Sequence, residues 1–239
     1  MAGGGAGLDG GALDLLRRPC CAGQAKACSP PAGGVECRAA CGAITAEIHQ
    51  FAESLGKAID ARDHFTRLHS EEVAMVAYIL ALRLGQAPAL ADRIHIAGHL
   101  HDLGKLAVPD RILLKPGPLT AEEWAVVRRH PEIGAEIIAP VDYLAQSGIV
   151  DMVRHHHERF DGAGYPQGLA GQAIPLGSRI IALADSLSAM LQARPYRPPL
   201  SLSQARDEIS RHAGGQFDPE VTRAFLECRE EVASVLQRL

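Results

Sequence analysis

Aromatic residues are scarce in this chain, 4% of 239 residues with a single tryptophan. That argues against a β-sandwich or barrel, whose strands draw on aromatic and β-branched side chains. Alanine and leucine are plentiful and favour helix. No apolar run approaches the ~18–20 residues that span a bilayer, so no membrane partner is expected. The amino terminus lacks the basic, apolar, small-residue order of a secretory signal. No basic run marks a nucleic-acid surface, and the net charge is −4, so no nucleic acid polymer is expected as partner. A soluble, cytoplasmic protein follows. Six cysteines are present, yet no Cys-x-x-Cys pair occurs. Cys20, Cys21, Cys28, Cys37 and Cys41 therefore read as reactive thiols of a loose tail rather than zinc ligands. Cys228 stands alone near the carboxyl end.

What the chain has in excess is histidine, eleven in all. The central stretch is Gly98-His99-Leu100-His101-Asp102-Leu103-Gly104-Lys105. As one helix with the preceding Ile94-His95-Ile96-Ala97, it puts Ile94, Ala97 and His101 on one face. A histidine on a buried stripe needs a partner, and a buried carboxylate is costly unless paired or bound to metal. Imidazole beside carboxylate suits a divalent transition metal. Lys105, one step beyond Gly104, suits a phosphate oxygen or a leaving group. Taken alone, the stretch reads equally as a satisfied core histidine with an aspartate cap.

Residues 1–42, rich in Gly, Ala, Cys and Pro, read as a mostly disordered leader. Residues 43–239 read as one all-α domain. Ile44, Ile48, Phe51, Leu55 and Ile59 form a helical stripe. A second helix, about 66–85, presents Val73, Val76, Ile79, Leu80 and Leu82, with His69 in its first turn. A third runs about 89–103. Thr120 and Glu123 form a capping box, and Pro131 restarts a helix after His130. A helix from about Ile149 ends in His155-His156-His157. Residues 160–169, with three glycines and a proline, form an ordered loop. Helices over about 178–193, 201–212 and 219–236 complete the chain, and Asp185 lies among apolar neighbours in the first of them.

His69, His101, Asp102, His130, His156, His157 and Asp185 come mostly from separate helices or junctions. They are too many for one tetrahedral ion. They suit two metals sharing a bridging carboxylate, with Asp102 as the bridge. Two ions about 3.5–4 Å apart can hold a hydroxide between them and clamp a phosphoryl group.

The ordered pieces His69-Ser70-Glu71-Glu72-Val73, His101-Asp102-Leu103-Gly104-Lys105, His130-Pro131-Glu132-Ile133-Gly134 and 156–166, followed by Asp185 and Arg194-Pro195-Tyr196-Arg197, resemble the HD-GYP family. This is a bacterial branch of the HD-domain metal phosphohydrolases, and the resemblance covers about 43–226. It implies an all-α HD-domain helical bundle with an ordered glycine-rich loop. It also implies hydrolysis of cyclic di-GMP to linear pGpG by a metal-bridging hydroxide, with further cleavage to GMP left open. Two divalent ions, iron or manganese, are implied. His69, His101, Asp102 and Asp185 would hold one, and Asp102, His130, His156 and His157 the other. Lys105 would contact phosphate or assist the leaving group. Tyr165, Arg194 and Arg197 would face the dinucleotide.

Departures from the family pattern are three. Phe65 stands where some members carry a glutamate that holds a third metal, so two metals are expected. Ser188 replaces an aspartate common in relatives, and His99 an aliphatic residue. Other polar residues carry simpler expectations. His95 and His99 face solvent, on a different stripe from His101. His155 is a neighbour rather than a ligand. His49, His64 and His212 lie at the surface, and Arg128 and Arg129 on a solvated face. Glu158 either orients a metal-bound histidine, the favoured reading, or caps the loop, Asp161 holds a turn, and Trp124, Val126 and Val127 are core. Two rival functions remain. One is an HD phosphohydrolase acting on another cyclic nucleotide or nucleotide. The other is a non-catalytic signalling module that binds cyclic di-GMP or a protein signalling partner.

Overall fold

The fold is seen in a computed structural model that describes residues 34–63, 68–193 and 198–239, with side chains from residue 46. Helix α1 spans Gly34–Arg62, α2 His69–Arg83 and α3 Pro88–Leu100. Short segments follow: a 3-10 turn Leu103–Ala107, α4 Asp110–Leu113, α5 Ala121–Val127, α6 His130–Ile138, α7 Asp142–Gln146 and α8 Ile149–Arg154. The loop after α8 contains a 3-10 turn at Gly171–Ala173. Then come α9 Leu176–Leu191, α10 Leu202–Arg211, α11 Pro219–Glu227 and α12 Arg229–Leu236. Among the described residues there is no strand, only an isolated bridge between Ala213 and Phe217. No described helix is long and apolar enough to cross a membrane.

The chain divides into two units, Met1–Ile48 and His49–Leu239. In the first, the leader expected over 1–42 falls mainly on residues outside the described set, as do Cys20, Cys21 and Cys28. Residues 34–42, however, are helical. The paired Gly/Pro breakers end at Gly33-Gly34, and Glu36, Arg38, Ala39 and Ala40 are good helix formers.

In the second unit, α2 and α3 form the central pair. α9 packs on α2, α3 and α8, while α6 packs on the Leu103–Ala107 turn and on α8. Leu80, Ile94, Ile96, Leu100, Ile180, Ile181, Leu183 and Phe225 are fully buried there. Of the stripe expected on α1, Ile59 is buried, but Phe51 is 65% exposed, and Ala52 and Gly56 are buried in its place. Small residues are needed on that face. A Cβ at Gly56 would meet the His99 carbonyl at 2.9 Å and Ser70 Cβ at 3.0 Å. Asp60 fastens the same face to α2, accepting from Ser70 N at 2.9 Å and from Ser70 Oγ at 2.9 Å.

The capping box at Thr120 and Glu123 is present. Trp124 and Val126 are exposed, however, and α5 buries no residue. At seven residues the helix is too short to carry a wide apolar stripe into the core. Leu82 is also exposed. The long terminal helix expected over 219–236 is two, broken at Cys228 where φ is −107°.

Candidate metal centre

Helix α3 does not run on through the central stretch. It stops at Leu100, and Asp102 leaves the helical region at φ −96°, ψ 4° before the 3-10 turn. His101 and Asp102 therefore sit at a bend, which lets neighbouring side chains aim at one centre. Gly104 makes the bend possible. A Cβ there would lie 1.9 Å from the His130 carbonyl oxygen and 2.6 Å from Gly134 N. The missing side chain is what allows the start of α6, and so His130, to approach Asp102.

The two oxygens of Asp102 face different partners. Oδ1 is 3.3 Å from His130 Nε2. Oδ2 is 3.3 Å from His101 Nε2, 3.8 Å from His69 Nε2 and 2.7 Å from Lys105 Nζ. Asp185 Oδ1, from α9, lies 3.2 Å from His69 Nε2. Two ligand-competent groups result: His69, His101 and Asp102, and His130, His156 and His157. The sequence-predicted residues His69, His101, Asp102, His130, His156, His157 and Asp185 are thus brought together. Arg194, Arg197 and Phe65 lie outside the described residues.

The imidazoles are locked in one orientation. Nδ1 of His101 faces the Gly98 carbonyl at 2.7 Å, Nδ1 of His130 the Val127 carbonyl at 2.8 Å, and Nδ1 of His156 the Val153 carbonyl at 2.7 Å. Each pairing is to the carbonyl three residues back, and a carbonyl only accepts, so each Nδ1 carries the proton. Nε2 is then left to the centre, the tautomer a metal-ligating histidine needs. The Nε2 atoms of His130 and His156 face one another at 3.3 Å, an arrangement that calls for a cation between lone pairs. His101 Nε2 is buried and makes no hydrogen bond. The residues present therefore fit a metal centre.

Electrostatics agree. Burial lowers the basicity of His156 far below the ordinary value, with His157, His101 and His130 adding to it. Burial and His130 push His157 down to about 3. Both rings are neutral at neutral pH and need lose no proton to bind an ion. Burial also disfavours charge on His101, but Asp102 and Asp185 outweigh it and raise it to about 9. A proton or a metal ion there answers the same demand for positive charge. Burial opposes ionisation of Asp102, yet Lys105 and His101 hold its carboxyl well below the usual range. Asp185 is likewise depressed, burial being outweighed by His69, His101 and His157.

Lys105 faces inward, 2.7 Å from Asp102 and 3.3 Å from Asp63 Oδ2. Arg62 holds its turn, donating to the Lys105 carbonyl at 2.8 Å and the Val108 carbonyl at 2.7 Å. Tyr165 stacks on His157, with ring centroids 4.9 Å apart, at the edge of the centre. The loop carrying it is pinned at its base, where Phe160 and Asp161 backbone N–H groups donate to Gln216 and Gly215.

Several simpler expectations need correction. The buried Glu158 carboxylate takes the second of its two expected roles, accepting from Gln167 N at 2.7 Å and Leu169 N at 3.1 Å and so capping the loop. Asp161 holds its turn as expected, accepting from Ala163 N at 3.0 Å. His155 bonds to the Asp151 carbonyl and joins neither ligand group. Arg128 is not merely solvated: its guanidinium lies 5.0 Å from the Tyr165 ring centroid. Ser188 was legible only as a departure. Its Oγ is 2.8 Å from His69 Nδ1 and donates to Glu72 Oε2. His95 and His99, expected at the surface, are each 2% exposed, and His49 is half-buried beside them. Spacing on one helix could not reveal the covering face of α1.

An all-helical bundle gathering imidazoles around a shared carboxylate defines the class: a helical His/Asp protein able to hold metal. Residues 53–221 match the HD domain family, and the chain belongs to it. The resemblance to the HD-GYP branch, carried by the His156–Pro166 stretch, stands with it. The chain is 40% identical over 187 residues to a cyclic di-GMP phosphodiesterase of Thermotoga maritima, covering 78% of this chain and 50% of that one. It is 41% identical over 182 residues to the cyclic di-GMP phosphodiesterase response regulator RpfG of Xanthomonas campestris pv. campestris, covering 76% and 48%. It is 38% identical over 182 residues to 3'3'-cGAMP-specific phosphodiesterase 2 of Vibrio cholerae, covering 76% and 35%. The chain thus spans half or less of the length of these relatives. A V. cholerae cyclic GMP-AMP specific phosphodiesterase shares the fold, with TM-score 0.59 at 16% identity over 77% of this chain and 49% of that one. So does the HD domain of L. monocytogenes phosphodiesterase PgpH in complex with cyclic-di-AMP, with TM-score 0.52 at 20% identity over 77% and 95%.

Proposed function

We propose that this chain is a metal-dependent phosphodiesterase that opens cyclic di-GMP to linear pGpG. The observation that carries the reading is Asp102, whose two oxygens face two separate histidine groups at 3.3 Å each. His69, His101 and Asp185 would hold one ion with Asp102, and His130, His156 and His157 the other. A mixed imidazole and carboxylate set suits iron or manganese. When bound, such ions supply an activated water and charge neutralisation for a phosphoryl group.

The chain's own residues do the rest. The carbonyls of Gly98, Val127 and Val153 keep the imidazoles in the ligating tautomer. Lys105, 2.7 Å from Asp102, is placed to meet a phosphate oxygen or the departing ribose oxygen beside that carboxylate. Tyr165 and Arg128 offer a ring and a stacked guanidinium to a guanine base. Relatives of about 40% identity that are named cyclic di-GMP phosphodiesterases support the choice of substrate.

A second reading rests on the likeness to a relative named as 3'3'-cGAMP-specific: the preferred substrate is a mixed cyclic dinucleotide. Turnover by iron- or manganese-loaded protein separates the two across cyclic di-GMP, 3'3'-cGAMP, cyclic di-AMP and cyclic mononucleotides. Preference for cyclic di-GMP with pGpG as first product supports the primary reading. Absence of turnover on every substrate, with metal shown to be bound, overturns both.

A further inference from the structure

Apart from the two groups at the Asp102 centre, three more imidazoles converge. His95 and His99 are one turn apart on α3, and His49 reaches them from α1. One ring nitrogen from each can be chosen so that all lie within 4.8 Å of one another. His95 and His99 approach most closely, Nε2 to Nε2 at 3.1 Å. Ring centroids of His49 and His95 are 4.7 Å apart, and those of His49 and His99 are 6.1 Å apart. We propose that His49, His95 and His99 form a second metal site, separate from the Asp102 centre, that takes a divalent transition ion of the zinc class and ties α1 to α3.

The tautomer of His95 is fixed in the same way. His95 Nδ1 lies 3.0 Å from the Ala74 carbonyl of α2. It therefore carries the proton and leaves Nε2 as a lone pair pointing at His99. Tetrahedral zinc at about 2.0–2.1 Å from each nitrogen sets ligand nitrogens about 3.3 Å apart. The His95–His99 separation is already near that value. Helical positions four apart are a familiar bidentate spacing for zinc. His49 is half-buried and already offers a ring nitrogen within 4.8 Å of the other two. Tyr78 packs edge-on against His95, with centroids 5.8 Å apart. The carboxylates of Asp92 and Glu53 act electrostatically on His49, and Glu53 also on His95. They supply negative field for a cation held by neutral ligands. Burial holds both His49 and His95 below the ordinary imidazole range, so neither keeps a proton that an ion must displace at neutral pH. The close approach of α1 to α3, where Gly56 faces the His99 carbonyl, lets one ion span both helices.

The alternative is a plain hydrogen bond, with His99 donating to His95 and no ion. Zinc counting decides. Chelator-stripped full-length protein is dialysed to equilibrium against zinc and analysed for metal, beside His49→Ala and His49→Gln. Ions entering the Asp102 centre are counted equally in parent and variant, so failure of the functional reading does not confuse the result. The expected outcome is one zinc fewer per chain in each variant, a smaller zinc-induced rise in Tm and unchanged phosphodiesterase turnover. An equal zinc count in parent and either folded variant overturns the proposal. Anomalous diffraction at the zinc edge from the parent needs no variant. A peak among the three rings supports the site, and none at saturating zinc refutes it.

Discussion

Nδ1 of His69 lies 2.8 Å from Oγ of Ser188, and the Ser188 hydroxyl donates onward to Glu72 Oε2. Gln192 Nε2 also donates to Glu72, at 2.9 Å. His101, His130 and His156 each face a carbonyl three residues back, whereas His69 Nδ1 is held by a side chain. The serine that departs from the family pattern thus does the orienting. Ser188→Ala is expected to weaken metal binding about 10–100-fold, the usual cost of losing an outer partner of a ligating histidine. Turnover at saturating metal should fall much less. Manganese titration of activity separates the two, and Glu72→Gln should show a milder form of the same shift.

Gly104 admits no side chain. A Cβ would sit 1.9 Å from the His130 carbonyl oxygen, and backbone cannot step aside as a flexible side chain can. Gly104→Ala should destabilise the fold by about 1–3 kcal/mol or more. It should also push His130 away from Asp102. Thermal unfolding reads the first effect. Metal stoichiometry of whatever fraction remains folded reads the second.

His101 gives a pH dependence with a definite sign. Asp102 and Asp185 overcome burial and raise its pKa to about 9, above the ordinary ~6.5. In metal-free protein this contributes stability that is fully present below about pH 6.5 and is lost as pH rises through about 9. A metal at Nε2 must displace that proton. Calorimetric titration with manganese in buffers of differing ionisation enthalpy should report about one proton released per chain at pH 7. Release should decline toward zero above pH 9. His156 and His157, held neutral by burial and their neighbours, should add none.

Arg128 covers the Tyr165 ring at 5.0 Å and is not itself a proposed metal ligand. Arg128→Ala should raise KM for cyclic di-GMP about 3–10-fold, in line with a stacking contact of about 1 kcal/mol. It should leave kcat near its original value. Steady-state kinetics at saturating metal provide the check.

The sequence was most readable where chemistry and spacing coincide. The His-Asp pair, the junction histidine before Pro131, the His156-His157 pair and the lone acid in α9 could each be singled out before any geometry was known. The structure brings them together. What stayed hidden depended on tertiary neighbours. The α3 helix ends before Asp102 because Gly104 must pass under α6, and a single-helix pattern cannot show that. Phe51 is exposed and Gly56 buried because α1 lies close against α2 and α3. For the same reason His95 and His99 are buried on what looks like a solvent stripe. Glu158 stays between two roles in the sequence because loop N–H groups that need an acceptor are invisible in a one-dimensional pattern. Trp124 looked like core from its residue type alone, yet α5 is too short to bury it.

The most direct test of the central claim counts manganese per chain and measures cyclic di-GMP turnover in Asp102→Asn beside its parent. Both should carry His49→Ala, so that the separate three-imidazole cluster contributes no ion. The account predicts two ions in the parent, fewer than one in Asp102→Asn, and a loss of turnover of at least about 10²–10³-fold. An Asp102→Asn protein that keeps both ions and turns over at the parent rate would contradict it.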